Sequence, residues 1–233
     1  MPGPIALVGS GEYTDAMLDV DKLLLDGRPP RYVQIPTAAA PEGENVLAKW
    51  IGMGIAQAER LGVEPVPLRV RTREDAEDPA IVERIGDAGL IYFSGGNPTY
   101  LTETLRDTLL WREVVRRWTA GTALGGCSAG AMAFGGWVLD IRHPTKPGIP
   151  GLDVVPGLRV LPHFDRFLGR MPDVLVRPFL RPIEGVTTIG VDEDTALVGG
   201  SGEYTVMGRQ SVWLLEGRHR REFPTGSTFS VLS

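Results

Sequence analysis

Short apolar runs alternate with helical patterns along the first half of the chain, and this alternation limits the fold more than any single motif does. Ile5-Ala6-Leu7-Val8 is strand-like and leads through Gly9-Ser10-Gly11 into a predicted helix over residues 15–25. Residues 31–35 read as a second strand. Residues 44–61 read as a helix, because Leu47, Trp50, Ile51, Ile55, Ala58 and Leu61 recur every three or four positions. Gly62 stands where a C-cap belongs. Pro65 and Pro67 interrupt the apolar run from Val63 to Val70 and mark it as an edge strand, and residues 80–85 belong to another helix. Gly89 to Phe93 has the composition of a buried strand, after which Asn97 and Pro98 suit the cap and first position of a helix running through Leu105. A helix near residues 111–118 and a strand over 122–125 then lead to a turn around Ser128.

Strand, crossover helix, strand at this spacing predicts an α/β fold: a mostly parallel central sheet with helices on both faces, in a flavodoxin-like three-layer arrangement. Ligands of such sheets bind beyond the carboxyl ends of the strands, where the glycine turns fall here. After about Asp140 the texture changes to proline-rich loops. The β-like runs at 187–191, 196–198, 204–207 and 211–215 then suggest an antiparallel meander closing the same domain. At 233 residues, one domain over 1–233 is the expectation.

Composition removes several classes of function. Apolar residues make up 42% and charged residues 23%, as in ordinary globular chains, which argues against extended disorder. The net charge is −5, and the basic residues are scattered apart from Arg218-His219-Arg220-Arg221, read as a solvated turn, so no nucleic-acid partner is expected. The single cysteine, Cys127, cannot form an internal disulfide, and the opening Met1-Pro2-Gly3-Pro4 lacks a signal peptide's basic flank and apolar run. A cytoplasmic setting fits both. The stretch from Trp118 to Leu139 carries no charge, yet its glycines divide it into a strand, a turn and a small-residue helix, so no membrane span is expected.

Gly126-Cys127-Ser128-Ala129-Gly130 fits G-x-S-x-G, in which a strand turns so sharply into a helix that only small residues fit beside the serine. A serine hydroxyl needs a base within hydrogen-bond reach, normally a histidine held by a carboxylate. Of the three histidines, His219 lies in the basic cluster and His143 in a proline loop, whereas His163 follows the apolar run 158–161 and can sit at a strand end facing the site. Two sources of the acid stay open: Asp192-Glu193-Asp194 after the strand at 187–190, and Asp140, which lies between serine and histidine in the chain. Ala129 N–H would be one oxyanion donor, and Gly96 or Gly95 N–H in Phe93-Ser94-Gly95-Gly96-Asn97 the second. Gly9-Ser10-Gly11 is a poor dinucleotide signature, because Thr14 stands where the third glycine of G-x-G-x-x-G is required. No His-Glu-x-x-His, cysteine pair or calcium-loop spacing points to a metal.

Several of these blocks, taken in order, resemble one family. Leu7 to Glu12, Tyr92 to Asn97, Gly126 to Ala131, Pro162-His163-Phe164 and Ile189 to Leu197 are similar to segments of the serine peptidases of the dipeptidase E and cyanophycinase group, peptidase family S51. The resemblance implies a fold like that of the class I glutamine amidotransferases and hydrolysis of peptide bonds next to aspartate, with no metal or organic cofactor. It implies Ser128 as nucleophile, His163 as base, Gly96 and Ala129 as oxyanion donors and Glu193 as the orienting acid. Dipeptidase E takes its carboxylate from between serine and histidine, which keeps Asp140 as the alternative acid. A homodimer is a further implication. Cyanophycinases carry a Gly-Gly-Asp-Gln loop and an Asp-Gln-His-Phe segment followed by arginines, whereas this chain has Gly95-Gly96-Asn97-Pro98 and Leu161 to Arg166, with Arg170 beyond. Gly95, Asn97, Arg166 and Arg170 are therefore the candidate substrate-binding residues, the arginines as clamps for a carboxylate. The substrate expected is a short aspartyl or isoaspartyl peptide. Esters or amides of small metabolites, or a ligand bound without turnover, are the alternatives.

Overall fold

The computed structural model describes residues 1–140, 148–166, 184–200, 202–216 and 219–230. Its first half runs β1 (Ile5–Val8), α1 (Asp15–Leu25), β2 (Arg31–Ile35), α2 (Glu44–Leu61), β3 (Glu64–Pro67), α3 (Arg73–Ala76) and α4 (Pro79–Glu83). There follow β4 (Leu90–Phe93), α5 (Pro98–Leu105), α6 (Leu109–Thr119), β5 (Ala123–Cys127), α7 (Ala129–Phe134) and the short β6 (Trp137–Val138). Among the described residues beyond β6 the elements are strands: β7 (Ile149–Pro150), β8 (Leu158–Leu161), β9 (Thr187–Val191), β10 (Thr195–Gly200), β11 (Glu203–Gly208), β12 (Ser211–Glu216), β13 (His219–Pro224) and β14 (Thr228–Ser230).

Eight strands form the main sheet in the order β14-β11-β10-β1-β5-β4-β2-β3. Every pairing from β1 to β3 is parallel, and β3 with its two prolines is the edge. Residue alternation makes the layers. Ile5, Leu7, Val33, Ile35, Ile91, Phe93 and Leu124 face one side and join Leu101, Leu105, Val114, Ala131 and Phe134 of the helices there. Ala6, Val8, Tyr32, Leu90, Tyr92, Ala123 and Cys127 face the other, beneath Met17, Val20 and Leu24 of α1 and Ala58 of α2. Both faces are covered, so β1 and β4 are continuous apolar runs, and each large apolar side chain buried in the sheet contributes about 1.5–3 kcal/mol.

Helix ends obey local chemistry. Gly62, with φ 71°, closes α2, and the Asn97 side chain accepts from Tyr100 N–H to cap α5, with Pro98 following. The uncharged run from Trp118 to Leu139 resolves into the end of α6, then β5, α7 and β6, and no helix among the described residues is long and apolar enough to cross a membrane.

The C-terminal part departs from a single meander. β10, β11 and β14 extend the main sheet from β1 through successive antiparallel pairings, whereas β12 and β13 join β9 and β8 in a separate sheet of order β13-β12-β9-β8, with β8 and β9 parallel. The chain changes sheets at two turns that pack on each other: Asp194 has φ 52°, Gly208 has φ 104°, and Arg209 N–H donates to Asp194 O at 2.8 Å. The expected basic turn is also different. His219, Arg220 and Arg221 lie in β13, an edge strand whose charges discourage pairing with another chain, and Arg218 lies outside the described residues.

Candidate active site

The site forms where β1, β4, β5, β8 and β9 end. β5 stops at Cys127, and Ser128 takes φ 49° and ψ −104°, a sparsely populated conformation for a residue with a side chain. Backbone bonds hold it there: Ser128 N–H donates to Val8 O at 2.9 Å and Met132 N–H to Ser128 O at 3.0 Å. The flanking glycines are required by close approach. A Cβ on Gly126 would lie 2.7 Å from the Gly130 carbonyl carbon, and one on Gly130 would lie 2.4 Å from Phe93 O. Ala129 opens α7, so its N–H has no acceptor within the helix.

β8 ends at Leu161, and His163 follows with φ 51°. Its neighbour Phe164 fixes this loop: Phe164 N–H donates to Val191 O at 3.1 Å, and the ring packs over Gly190, with its centre 5.9 Å from that of Trp213. His163 Nε2 lies 3.1 Å from Ser128 Oγ, and Nδ1 lies 3.1 Å from Glu193 Oε1. The histidine and glutamate side chains are 28% and 20% exposed, open enough for a ligand and sheltered enough to strengthen the hydrogen bonds. With its proton on Nδ1, donated to Glu193, the ring leaves Nε2 to accept the Ser128 hydroxyl.

The three acids after β9 separate. Asp192 turns inward, accepting from Trp213 Nε1 and Ser211 N–H, and burial pushes its carboxyl above the ordinary value. Asp194 accepts from Thr14 Oγ1 on the far side of the turn. Glu193 alone of the three faces His163. It is braced by its own N–H on Asp165 Oδ1 at 2.8 Å, by Gln210 Nε2 on its carbonyl at 2.9 Å and by Arg166 Nε on Oε2 at 2.7 Å. Asp140 follows β6, and the carboxylate at His163 Nδ1 is Glu193.

The loop after β4 distributes its donors unequally. Gly95 N–H donates to Glu12 Oε1 at 2.9 Å and Asn97 N–H to Ala38 O at 2.7 Å, which leaves Gly96 N–H without a partner among the described residues. Gly96 has φ 140°, and a Cβ there would lie 2.3 Å from Ala38 O, so this position excludes side chains. Gly95 faces the serine: a Cβ on it would be 3.6 Å from Ser128 Cβ and 3.6 Å from the Trp50 ring. Asn97, a candidate substrate-binding residue, caps α5 with its carbonyl oxygen, as its place before Pro98 predicts. Arg166, expected as a carboxylate clamp, pairs with Glu193, while Arg170 lies outside the described residues, as does His143.

Sequence reasoning passed over Glu12, Trp50, Asp165 and Gln210. Glu12 ends the block Leu7 to Glu12, and nothing in its neighbourhood in the chain marks it as a partner of Gly95, 83 residues away.

The family model described as Peptidase family S51 matches residues 5–206. The chain belongs to peptidase family S51. Among curated members, a cyanophycinase from Synechococcus elongatus is 31% identical over 68% of this chain and 51% of its own length, so the chain spans about half the length of the curated relatives it matches. The crystal structure of a peptidase from an acI-B1 Actinobacterium superposes with a TM-score of 0.90 at 40% identity, covering 99% of this chain and 98% of that one. A putative peptidase E protein from Listeria monocytogenes EGD-e gives 0.60 at 15% identity, covering 97% of this S51 chain and 100% of its own, a likeness of fold.

Proposed function

We propose that this S51 protein is a serine peptidase acting on short aspartyl or isoaspartyl peptides. The observation that carries the reading is the line of hydrogen bonds from Ser128 Oγ through the His163 ring to Glu193, both links 3.1 Å. His163 Nε2 takes the hydroxyl proton as Ser128 Oγ attacks the substrate carbonyl, and Glu193 holds the ring's tautomer and balances the imidazolium that forms. The carbonyl oxygen, now negative, accepts from Ala129 N–H and Gly96 N–H. His163 then gives its proton to the departing amine, leaving an acyl group on Ser128. Water then attacks the acyl carbon as Nε2 takes its proton, and the bond to Ser128 Oγ breaks as Nε2 returns that proton to Oγ, releasing the acid. The preference for aspartyl peptides rests on the family resemblance alone.

The test is hydrolysis of a pooled dipeptide library with α-aspartyl, β-aspartyl, glutamyl and neutral first residues, read by mass spectrometry for wild type and Ser128→Ala. Cleavage confined to aspartyl or isoaspartyl members, and lost in the variant, is expected. An unaltered rate in Ser128→Ala would sink the proposed nucleophile, and cleavage of the neutral members alone would overturn the substrate class.

A further inference from the structure

We infer that Glu12 is a positioning residue, whose single carboxylate ties the loop carrying Gly96 to the turn carrying Ser128 and Ala129 and so sets the spacing of the two oxyanion donors. The inference rests on the reading of Ser128 as nucleophile. Glu12 lies in the turn between β1 and α1 and is only 6% exposed. Oε1 accepts from Gly95 N–H at 2.9 Å, and Oε2 lies 2.9 Å from Cys127 Sγ. Burial, and then the charge of Glu12 itself, push the Cys127 thiol well above its ordinary range, so sulfur keeps its proton and donates it.

The geometry has a consequence for each donor. Gly95 directly precedes Gly96, and Cys127 directly precedes Ser128, with Ala129 next. Holding Gly95 and Cys127 by opposite oxygens of one rigid carboxylate fixes how far apart Gly96 N–H and Ala129 N–H stand. Hydrogen bonds to a charged acceptor are about twice as strong as neutral ones, which suits a tie that carries the contact of β4 and β5 beyond the last pair of their ladder, Phe93 with Gly126. The same turn reaches the third wall of the site: Gly9 N–H donates to Thr195 O at 2.9 Å, and Thr14 Oγ1 donates to Asp194 Oδ1 at 3.2 Å, at the two residues that follow Glu193. Gly9 to Thr14 thus joins all three functional loops, which gives that glycine turn a role other than holding a dinucleotide.

The test compares wild type, Glu12→Gln and Glu12→Ala by peptide turnover per active site and by the amide proton shift of Gly95 in 15N NMR. Glutamine keeps a carbonyl acceptor for Gly95 but loses the charge and turns an amide N–H toward the sulfur. Deleting an oxyanion donor outright costs about 10²- to 10³-fold in kcat, so displacing one is expected to cost about tenfold in Glu12→Gln and about a hundredfold in Glu12→Ala, with KM nearly constant. The Gly95 amide proton is expected to move upfield in both variants. A folded Glu12→Gln with wild-type kcat, or a Gly95 signal that does not move, overturns the inference. A merely structural role would lower stability while leaving turnover per folded molecule unchanged, which also overturns it. If wild type neither cleaves the library nor is phosphonylated at Ser128 by an aryl phosphonate, the proposed function falls. The Gly95 shift still decides whether Glu12 ties the loops.

Discussion

Asp192, Glu193 and Asp194 are consecutive carboxylates with three different fates, because a tight turn sends successive side chains in different directions. Composition cannot rank them. What separates them is tertiary: Trp213 draws Asp192 inward, Thr14 meets Asp194, and His163 meets Glu193. Replacing Glu193 by glutamine preserves volume but removes the charge that favours the imidazolium and permits the wrong tautomer, so kcat is expected to fall by about 10³- to 10⁴-fold. Asp140→Asn is expected to stay within about threefold of wild type. Steady-state kinetics on the same peptide decide between them, and the reverse ranking would reassign the acid. Ser128 and His163 were legible in the sequence, since the chain has one glycine-flanked elbow and only three histidines. That Gly95 N–H is already engaged was not legible, because the group that accepts it arrives from a distant turn.

At the scale of elements, the parallel half was readable because β1, β4 and β5 are uncharged, fully buried runs and the long helix α2 carries its own period. α1 and α2 fall on the expected residues. The strand before the serine extends to Cys127, two residues beyond its expected end, because pairing with β1 continues through Val8 and Cys127. The C-terminal strands were legible as strands but not as members of two sheets, since the same alternating pattern serves either and the crossings depend on turns at Asp194 and Gly208. One element-level contact controls the elbow. α7 lies so close to β4 that Gly130 faces Phe93 O with no room for a methyl group. Gly130→Ala is expected to push α7 off the sheet, lowering stability by about 1–3 kcal/mol in urea unfolding. It should also lower kcat, because Ala129 moves with the helix. A variant with wild-type stability and kcat would show that the spacing between α7 and β4 is not under this constraint.

Across the whole molecule, the layer of α1 and α2 covers a sheet face that is not purely apolar, and this makes folding sensitive to pH. Tyr32 and Tyr92 stack within that face, with ring centres 5.8 Å apart, and Asp21 of α1 is buried against it, held by Gln57 Nε2 of α2 at 2.7 Å. Burial raises the Asp21 carboxyl from 3.8 to about 7; the Gln57 hydrogen bond and the charge of Arg60 oppose the rise, and the charge of Glu12 adds to it. Both phenols are pushed well above their ordinary value by burial and stay neutral. The sign follows from proton counting. Between pH 3.8 and about 7 the folded protein keeps a proton on Asp21 that the unfolded chain has released, so stability falls as pH rises through that window and levels off above it. The gap bounds the total loss at about 4 kcal/mol, of which up to about 3 kcal/mol falls between pH 5 and pH 8. Asp21→Asn should remove this slope, since an amide cannot ionise, while the other titrating groups keep theirs. Urea unfolding of wild type and variant at the two pH values isolates the difference. The variant is expected to match wild type near pH 4 and to exceed it at pH 8. Parallel pH profiles would mean that Asp21 does not carry the proton and that the polar face costs the fold the same at every pH.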